Sequence, residues 1–131
     1  YFIDRFNPTS NFYLSLGINY PNSSDKIFCK GKSTGGDIFI HGNCVTIGCI
    51  PLTDDKIKEV YLLALEAKNA GQKSIPVHIF PFKMNDVNMT KMKKEYKDND
   101  LITLWENLKT GYEYFEVNNT VPVVSVKKDG S

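Results

Sequence analysis

The stretch Ile40-His41-Gly42-Asn43-Cys44-Val45-Thr46-Ile47-Gly48-Cys49-Ile50 decides how the rest of the chain is read. It leaves a strand-like segment, turns at a glycine directly after a histidine, and reaches a cysteine shortly before a helical pattern begins. A free cysteine of pKa about 8.5 is only a few per cent thiolate at neutral pH, so a nucleophilic one needs a base or a cation beside it. His41 is the obvious base, since the 131-residue chain has only 2 histidines. Gly48, just ahead of Cys49, lets the backbone turn sharply and leaves successive N–H groups free to face an oxyanion on an attacked carbonyl. Each such donor is worth about 3 to 4 kcal/mol of barrier. A Gly-Cys pair alone fits a buried structural cysteine at a tight turn equally well.

Immediately upstream, Asp37-Ile38-Phe39-Ile40-His41 has strand composition, with Ile38 and Ile40 on one face and Phe39 and His41 on the other. Tyr1 to Ile27 reads as short strands and loops, with turn formers at Asn7-Pro8-Thr9-Ser10, Gly17 and Pro21-Asn22-Ser23-Ser24. Downstream, Ile57, Val60, Tyr61 and Ala64 recur at helical spacing. Thr53 is the expected N-cap of that helix, Asp54 and Asp55 suit its positive end, and Gly71 is the expected stop. Ile75 to Phe80, carrying His78 and Phe80 on one side, reads as a strand. Further helices are expected over Val87 to Tyr96 and Leu101 to Leu108, with Gly111 ending the latter, and a last strand over Pro122 to Val126. The pattern predicts an α+β fold: a mixed, mostly antiparallel sheet with flanking helices. No repeat, low-complexity tract or linker marks a second domain, so residues 1–131 read as one.

Composition narrows the function classes. Lys and Arg number 16 against 15 Asp and Glu, a formal charge of +1. That is too little to drive counterion release, which argues against a nucleic-acid partner. No apolar run approaches the roughly 20 residues needed to span a bilayer. Cys29, Cys44 and Cys49 are an odd number, so at least one is a free thiol. In an exported protein an unpaired cysteine needs a reason, and nucleophilic chemistry is one. Tyr1 opens in mid-pattern without a Met or a leader, which leads us to expect that an export signal or an N-terminal part of the domain has been removed.

The segment Gly35-Gly36-Asp37-Ile38-Phe39-Ile40-His41-Gly42, followed by Gly48-Cys49-Ile50 and Thr53, resembles the catalytic motif of L,D-transpeptidases, the YkuD-type cysteine enzymes of bacterial cell walls. It looks closest to the YafK-type branch. Asp4-Arg5-Phe6-Asn7-Pro8, Leu14-Ser15-Leu16-Gly17-Ile18-Asn19-Tyr20-Pro21, Gly71-Gln72, Val77-His78-Ile79-Phe80-Pro81-Phe82 and Leu108-Lys109-Thr110-Gly111-Tyr112 carry the resemblance along nearly the whole chain. It implies the family's catalytic fold, with the domain's first strands lying ahead of Tyr1, and a periplasmic or cell-envelope location. By the same resemblance Cys49 is the nucleophile, His41 is base and then acid, and the Gly48 and Cys49 amides form the oxyanion hole. The implied partner is a peptidoglycan stem peptide, attacked at a diamino acid to give a thioester that an amine or water resolves. Hydrolysis, including release of a wall-attached lipoprotein, is the alternative outcome. No metal or organic cofactor is implied. The chain departs from the commoner family pattern in lacking a second histidine before the cysteine and an arginine after it.

Other residues have bland and sharp readings. Arg5, the only arginine, is a candidate for binding a substrate carboxylate bidentately. Asn43 and Thr46 can bind substrate or simply shape the loop. His78 can pack in the core, orient His41 or touch substrate. Cys44 reads as packing or as a second thiol, Cys29 as an inert core thiol, and Lys91, Lys93, Lys94 and Lys97 as the solvated face of a helix. From another class, His41, Cys44 and Cys49 with His78 or Cys29 could hold zinc, although the spacing lacks a clean second pair. A wall-binding module without turnover is a third possibility.

Overall fold

In a computed structural model describing residues 1–131, the first two strands, β1 (Ile3–Ser10) and β2 (Tyr13–Ile18), form an antiparallel hairpin. β3 (Phe39–His41) pairs antiparallel with β2, and β4 (Ile50–Pro51) pairs parallel with β3. The sheet is therefore mixed, in the order β1-β2-β3-β4. Four helices complete the α+β fold: α1 (Ser23–Phe28), α2 (Thr53–Asn69), α3 (Asp86–Glu95) and α4 (Asn99–Asn118). The chain divides into two compact units, residues 1–78 with 126–131, and residues 79–125.

The sheet's two faces carry different side chains. In register, Phe6, Leu16, Ile40 and Ile50 form one row across the strands, while Asn7, Ser15, His41 and Pro51 form the next. Because side chains alternate along a strand, these rows point to opposite faces. The first joins a core of Leu16, Ile18, Ile40, Ile57 and Ala64, the last two supplied by α2. Each such aliphatic side chain, fully buried, contributes about 1.5 to 3 kcal/mol. The opposite face keeps the histidine.

α2 ends where Gly71 was expected to stop it. Gly71 takes φ +93° and donates to the Lys68 carbonyl, while Gln72 N–H reaches back to the Ala67 carbonyl. This is a Schellman closure, which needs a left-handed residue. Open space surrounds the Cα of Gly71, so its cost to any other residue is purely conformational. Gly71→Ala is expected to destabilise the chain by about 1 kcal/mol, read as a lower urea midpoint at unchanged slope. An unchanged midpoint would mean that α2 does not depend on this cap.

Several local expectations give way. Asn7 to Ser10, read as a turn, belongs to β1. Pro8 is tolerated because the β1–β2 register is irregular between Asn7 and Ser10, where a missing N–H costs no ladder bond. The region before Ile27 contains α1, closed by a capping box in which the Asn22 side chain accepts from Asp25 N–H and Asp25 reaches back to Asn22 N–H. Cys29 is thus the C-cap of a helix, half-buried, and not a strand thiol. Thr53 opens α2 without capping it, and the N-cap position is Leu52. Ile75 to Phe80 is no strand: only Pro76 bridges to Phe2, and the flanking prolines cannot extend a ladder.

In the second unit, Met84, Met89 and Trp105 form the core, with Phe82 and Tyr96 edge-on to Trp105 at 5.1 and 5.6 Å between ring centroids. Gly111 does not end α4. The helix runs on to Asn118 and is closed by Asn119 at φ +50°. A helical glycine costs only about 1 kcal/mol, which packing of Leu108 and Tyr112 on either side outweighs. Pro122 to Val126 forms no strand, and Val123 and Val124 stay exposed. Lys93, expected on a solvated face, pairs with Glu106 of α4 at 2.7 Å.

Candidate active site

His41 is the last residue of β3 and only 2% exposed. Its Nδ1 lies 2.5 Å from the Gly42 carbonyl oxygen. A carbonyl can only accept, so Nδ1 carries a proton, and in the neutral ring the lone pair is on Nε2. No buried side-chain nitrogen or oxygen lacks a partner. Nε2 makes no hydrogen bond, so the small accessible part of the ring includes it. Phe12, at the β1–β2 turn, covers the imidazole with ring centroids 4.6 Å apart.

Cys49 directly precedes β4. The parallel register places Ile50 opposite Ile40 and Pro51 opposite His41, so Cys49 lies one residue ahead of the pairing with β3. The thiol is half-buried and directed at the Asp37 carbonyl, 3.8 Å away. The histidine thus ends β3, and the cysteine immediately precedes the strand that pairs with it.

The intervening excursion is braced from within. Asn43 adopts φ +62°; its side-chain oxygen accepts from Cys44 N–H at 2.6 Å, and its own N–H donates to Asp54 Oδ1 at 2.7 Å. Thr46 Oγ1 donates to the Cys49 carbonyl at 2.9 Å and accepts from Gly48 N–H at 3.0 Å. Gly48 has φ +148° with nothing near its Cα, so only backbone freedom selects glycine there. In this state the Gly48 amide is engaged by Thr46, and both Asn43 and Thr46 spend their side chains on the loop itself. Cys44 is exposed, and at the tip Ile47 is fully exposed.

Arg5 lies across the sheet face that bears His41. It pairs with Asp4 at 2.9 Å and with Asp37 at 2.5 Å, and its guanidinium sits 5.0 Å from the Phe39 ring centroid. Hydrogen bonds to Asp37 and then Asp4 raise its pKa further. The path is open because Gly17 has no side chain; a Cβ there would approach Arg5 Nε to 2.7 Å. Arg5 therefore braces Asp37, the residue whose carbonyl faces Cys49, with its charge already matched by two carboxylates. His78 is not brought to His41. The segment before it bonds to the start of β1, through Ile3 N–H to Ile75 O and Val77 N–H to Tyr1 O, and β1 is separated from β3 by β2. No group of three or more His, Cys, Asp or Glu side chains is arranged to hold a metal ion. Sequence reasoning missed the parts of Phe12 and Asp54, whose roles arise from the hairpin turn and the helix start meeting at Gly42.

The architecture, a mixed sheet flanked by helices with a histidine ending one strand and a cysteine just ahead of its parallel partner, is consistent with a YkuD-like fold. No family model matches the chain. Two relatives are similar to it, each named "Putative L,D-transpeptidase YafK", from Escherichia coli strain K12 and from Escherichia coli O157:H7. Both are 38% identical over 124 residues, covering 94% of this chain and 47% of the relative. The chain thus spans about half the length of those relatives, and His41 and Cys49 fall within the matched part. This likeness supports a YafK-like L,D-transpeptidase domain.

Proposed function

We propose that this chain is the catalytic part of a cell-envelope cysteine enzyme that acts on peptidoglycan stem peptides through a thioester on Cys49. The observation that carries the reading is the His41 Nδ1 contact with the Gly42 carbonyl, which in the neutral ring leaves Nε2 as the free acceptor at the end of β3, the strand whose parallel partner directly follows Cys49. In the first step the thiol proton passes to Nε2 and the sulfur adds to the amide carbonyl of the stem's diamino acid, giving a tetrahedral oxyanion. Collapse breaks the C–N bond, the amine leaves with the proton from His41, and a thioester remains. An acceptor amine or water then attacks, restoring the thiol. The Cys49 amide faces the oxyanion, joined by that of Gly48 once the oxyanion displaces the Thr46 hydroxyl. Arg5, already paired with Asp4 and Asp37, would meet a substrate carboxylate only by giving up one of them and otherwise braces the Asp37 segment beside Cys49, and His78 stands outside this machinery. Nothing in the chemistry requires a cofactor. The substrate lies outside the cytoplasmic membrane, which places the enzyme in the periplasm or envelope, and no helix is long and apolar enough to cross a membrane.

The test is incubation with a purified stem tetrapeptide ending in D-alanine, with and without an added acceptor amine, followed by mass spectrometry. Release of D-alanine with a new peptide-amine product is expected for transfer, whereas release to the free tripeptide regardless of amine assigns hydrolysis. A stem peptide recovered intact in both arms would reject the proposal.

A further inference from the structure

We propose that Asp54 is a positioning residue for His41, acting through the single peptide unit that joins Gly42 to Asn43. The inference rests on His41 serving as the base, as proposed above, and adds the group that fixes its orientation.

The Gly42 carbonyl and the Asn43 N–H belong to one planar peptide unit and point in opposite directions from it. His41 Nδ1 holds the carbonyl end at 2.5 Å, and Asp54 Oδ1 holds the N–H end at 2.7 Å. The plane carrying the imidazole's acceptor is therefore fixed from both sides, and a carboxylate acceptor makes the second bond the stronger kind. Two backbone bonds set the distance between the turn and the start of α2: Leu52 N–H to His41 O at 2.8 Å and Thr53 N–H to Asn43 O at 3.0 Å. Asn43 holds φ +62°, a conformation that costs an L-residue free energy and persists only where its surroundings enforce it. The arrangement resembles an Asp-His pair with a peptide unit inserted between the two side chains.

Asp54 is itself exposed, so solvent screens its charge and the hydrogen bond dominates. An uncharged acceptor of the same length should then replace it. Asp55, also exposed and in the same helical turn, makes no hydrogen bond to Asn43, which makes it the control for helix-dipole effects.

Two measurements on the whole chain test the proposal: the rate of Cys49 acylation by meropenem, and the tautomer of His41 from its ring 15N shifts. Asp54→Ala is expected to slow acylation about tenfold, the scale on which groups that orient a functional histidine act, and to populate the tautomer protonated at Nε2. Asp54→Asn should restore both to within about twofold, and Asp55→Asn should change neither. If Asp54→Ala does not fold, Asp54→Ser, too short to reach Asn43, serves the same comparison. A wild-type rate and tautomer in the variant lacking the acceptor would overturn the positioning role. Undiminished acylation of His41→Ala would instead overturn the assignment of the base, so the two failures are separable.

Discussion

Cys49→Ala is expected to show no mass increase after exposure to a carbapenem under conditions that fully acylate the parent chain. Losing a nucleophile removes the covalent route itself, and such losses run to about 10^6 in turnover. The fold should survive, because the thiol is half-buried and its one hydrogen bond is the 3.8 Å contact to the Asp37 carbonyl. Far-ultraviolet circular dichroism and a urea midpoint within about 1 kcal/mol of the parent would establish that. The choice of reagent matters. Cys44 is exposed, and a general alkylating agent would modify it whatever the site does, whereas a carbapenem reports an activated thiol that attacks a carbonyl. Labelling of the variant at the parent's level would show that another thiol does the chemistry and would remove the basis for the His41–Cys49 site.

Gly42→Ala should damage both stability and chemistry. Gly42 is not among the residues with positive φ, so its backbone conformation does not demand glycine. The demand is for space. A Cβ there would lie 2.6 Å from Asp54 Oδ1, 2.6 Å from the Phe12 carbonyl oxygen and 3.1 Å from Ile57 Cγ2. The Asp54 carboxylate can rotate away, but the Phe12 oxygen is backbone and Ile57 is fully buried. Overpacking of this kind costs about 1 to 3 kcal/mol, and the upper end is expected because two of the three neighbours cannot yield. Acylation should fall at least tenfold as well, since the peptide plane that aims His41 has to shift. Stability from urea unfolding and acylation kinetics on the folded fraction separate these effects. Parent-like values in both would show that the turn is looser than the packing indicates.

Legibility from sequence followed the strength of local patterns. α2 could be read from Ile57, Val60, Tyr61 and Ala64 and from Gly71, because periodicity and a left-handed stop agree there. β3 was visible in the alternation around Ile40. β4 was not: two residues ending in proline carry no strand signature, and their pairing depends wholly on β3 lying beside them. α4 was cut short on paper at Gly111, where tertiary packing overrides propensity. At the site, residue types and spacing pointed to His41, Gly48 and Cys49, and the structure has His41 ending β3 and Cys49 just ahead of the strand paired with it. What spacing could not convey is the division of labour within the loop. Asn43 and Thr46 could be named as polar candidates, yet their partners depend on backbone angles that no pattern encodes. Asp54 read as a helix-dipole acid, because nothing in one dimension shows that the first turn of α2 meets the residue after His41.

The side-by-side pairing of β3 with β4 separates two tasks along the chain. Ladder bonds and the start of α2 hold His41, and Thr46 holds the Cys49 carbonyl, so the exposed side chains of Val45 and Ile47 take no part in either attachment. Under the proposed chemistry, those two side chains can be exchanged to suit a different incoming amine, or to admit water, while His41 and Cys49 keep their attachments.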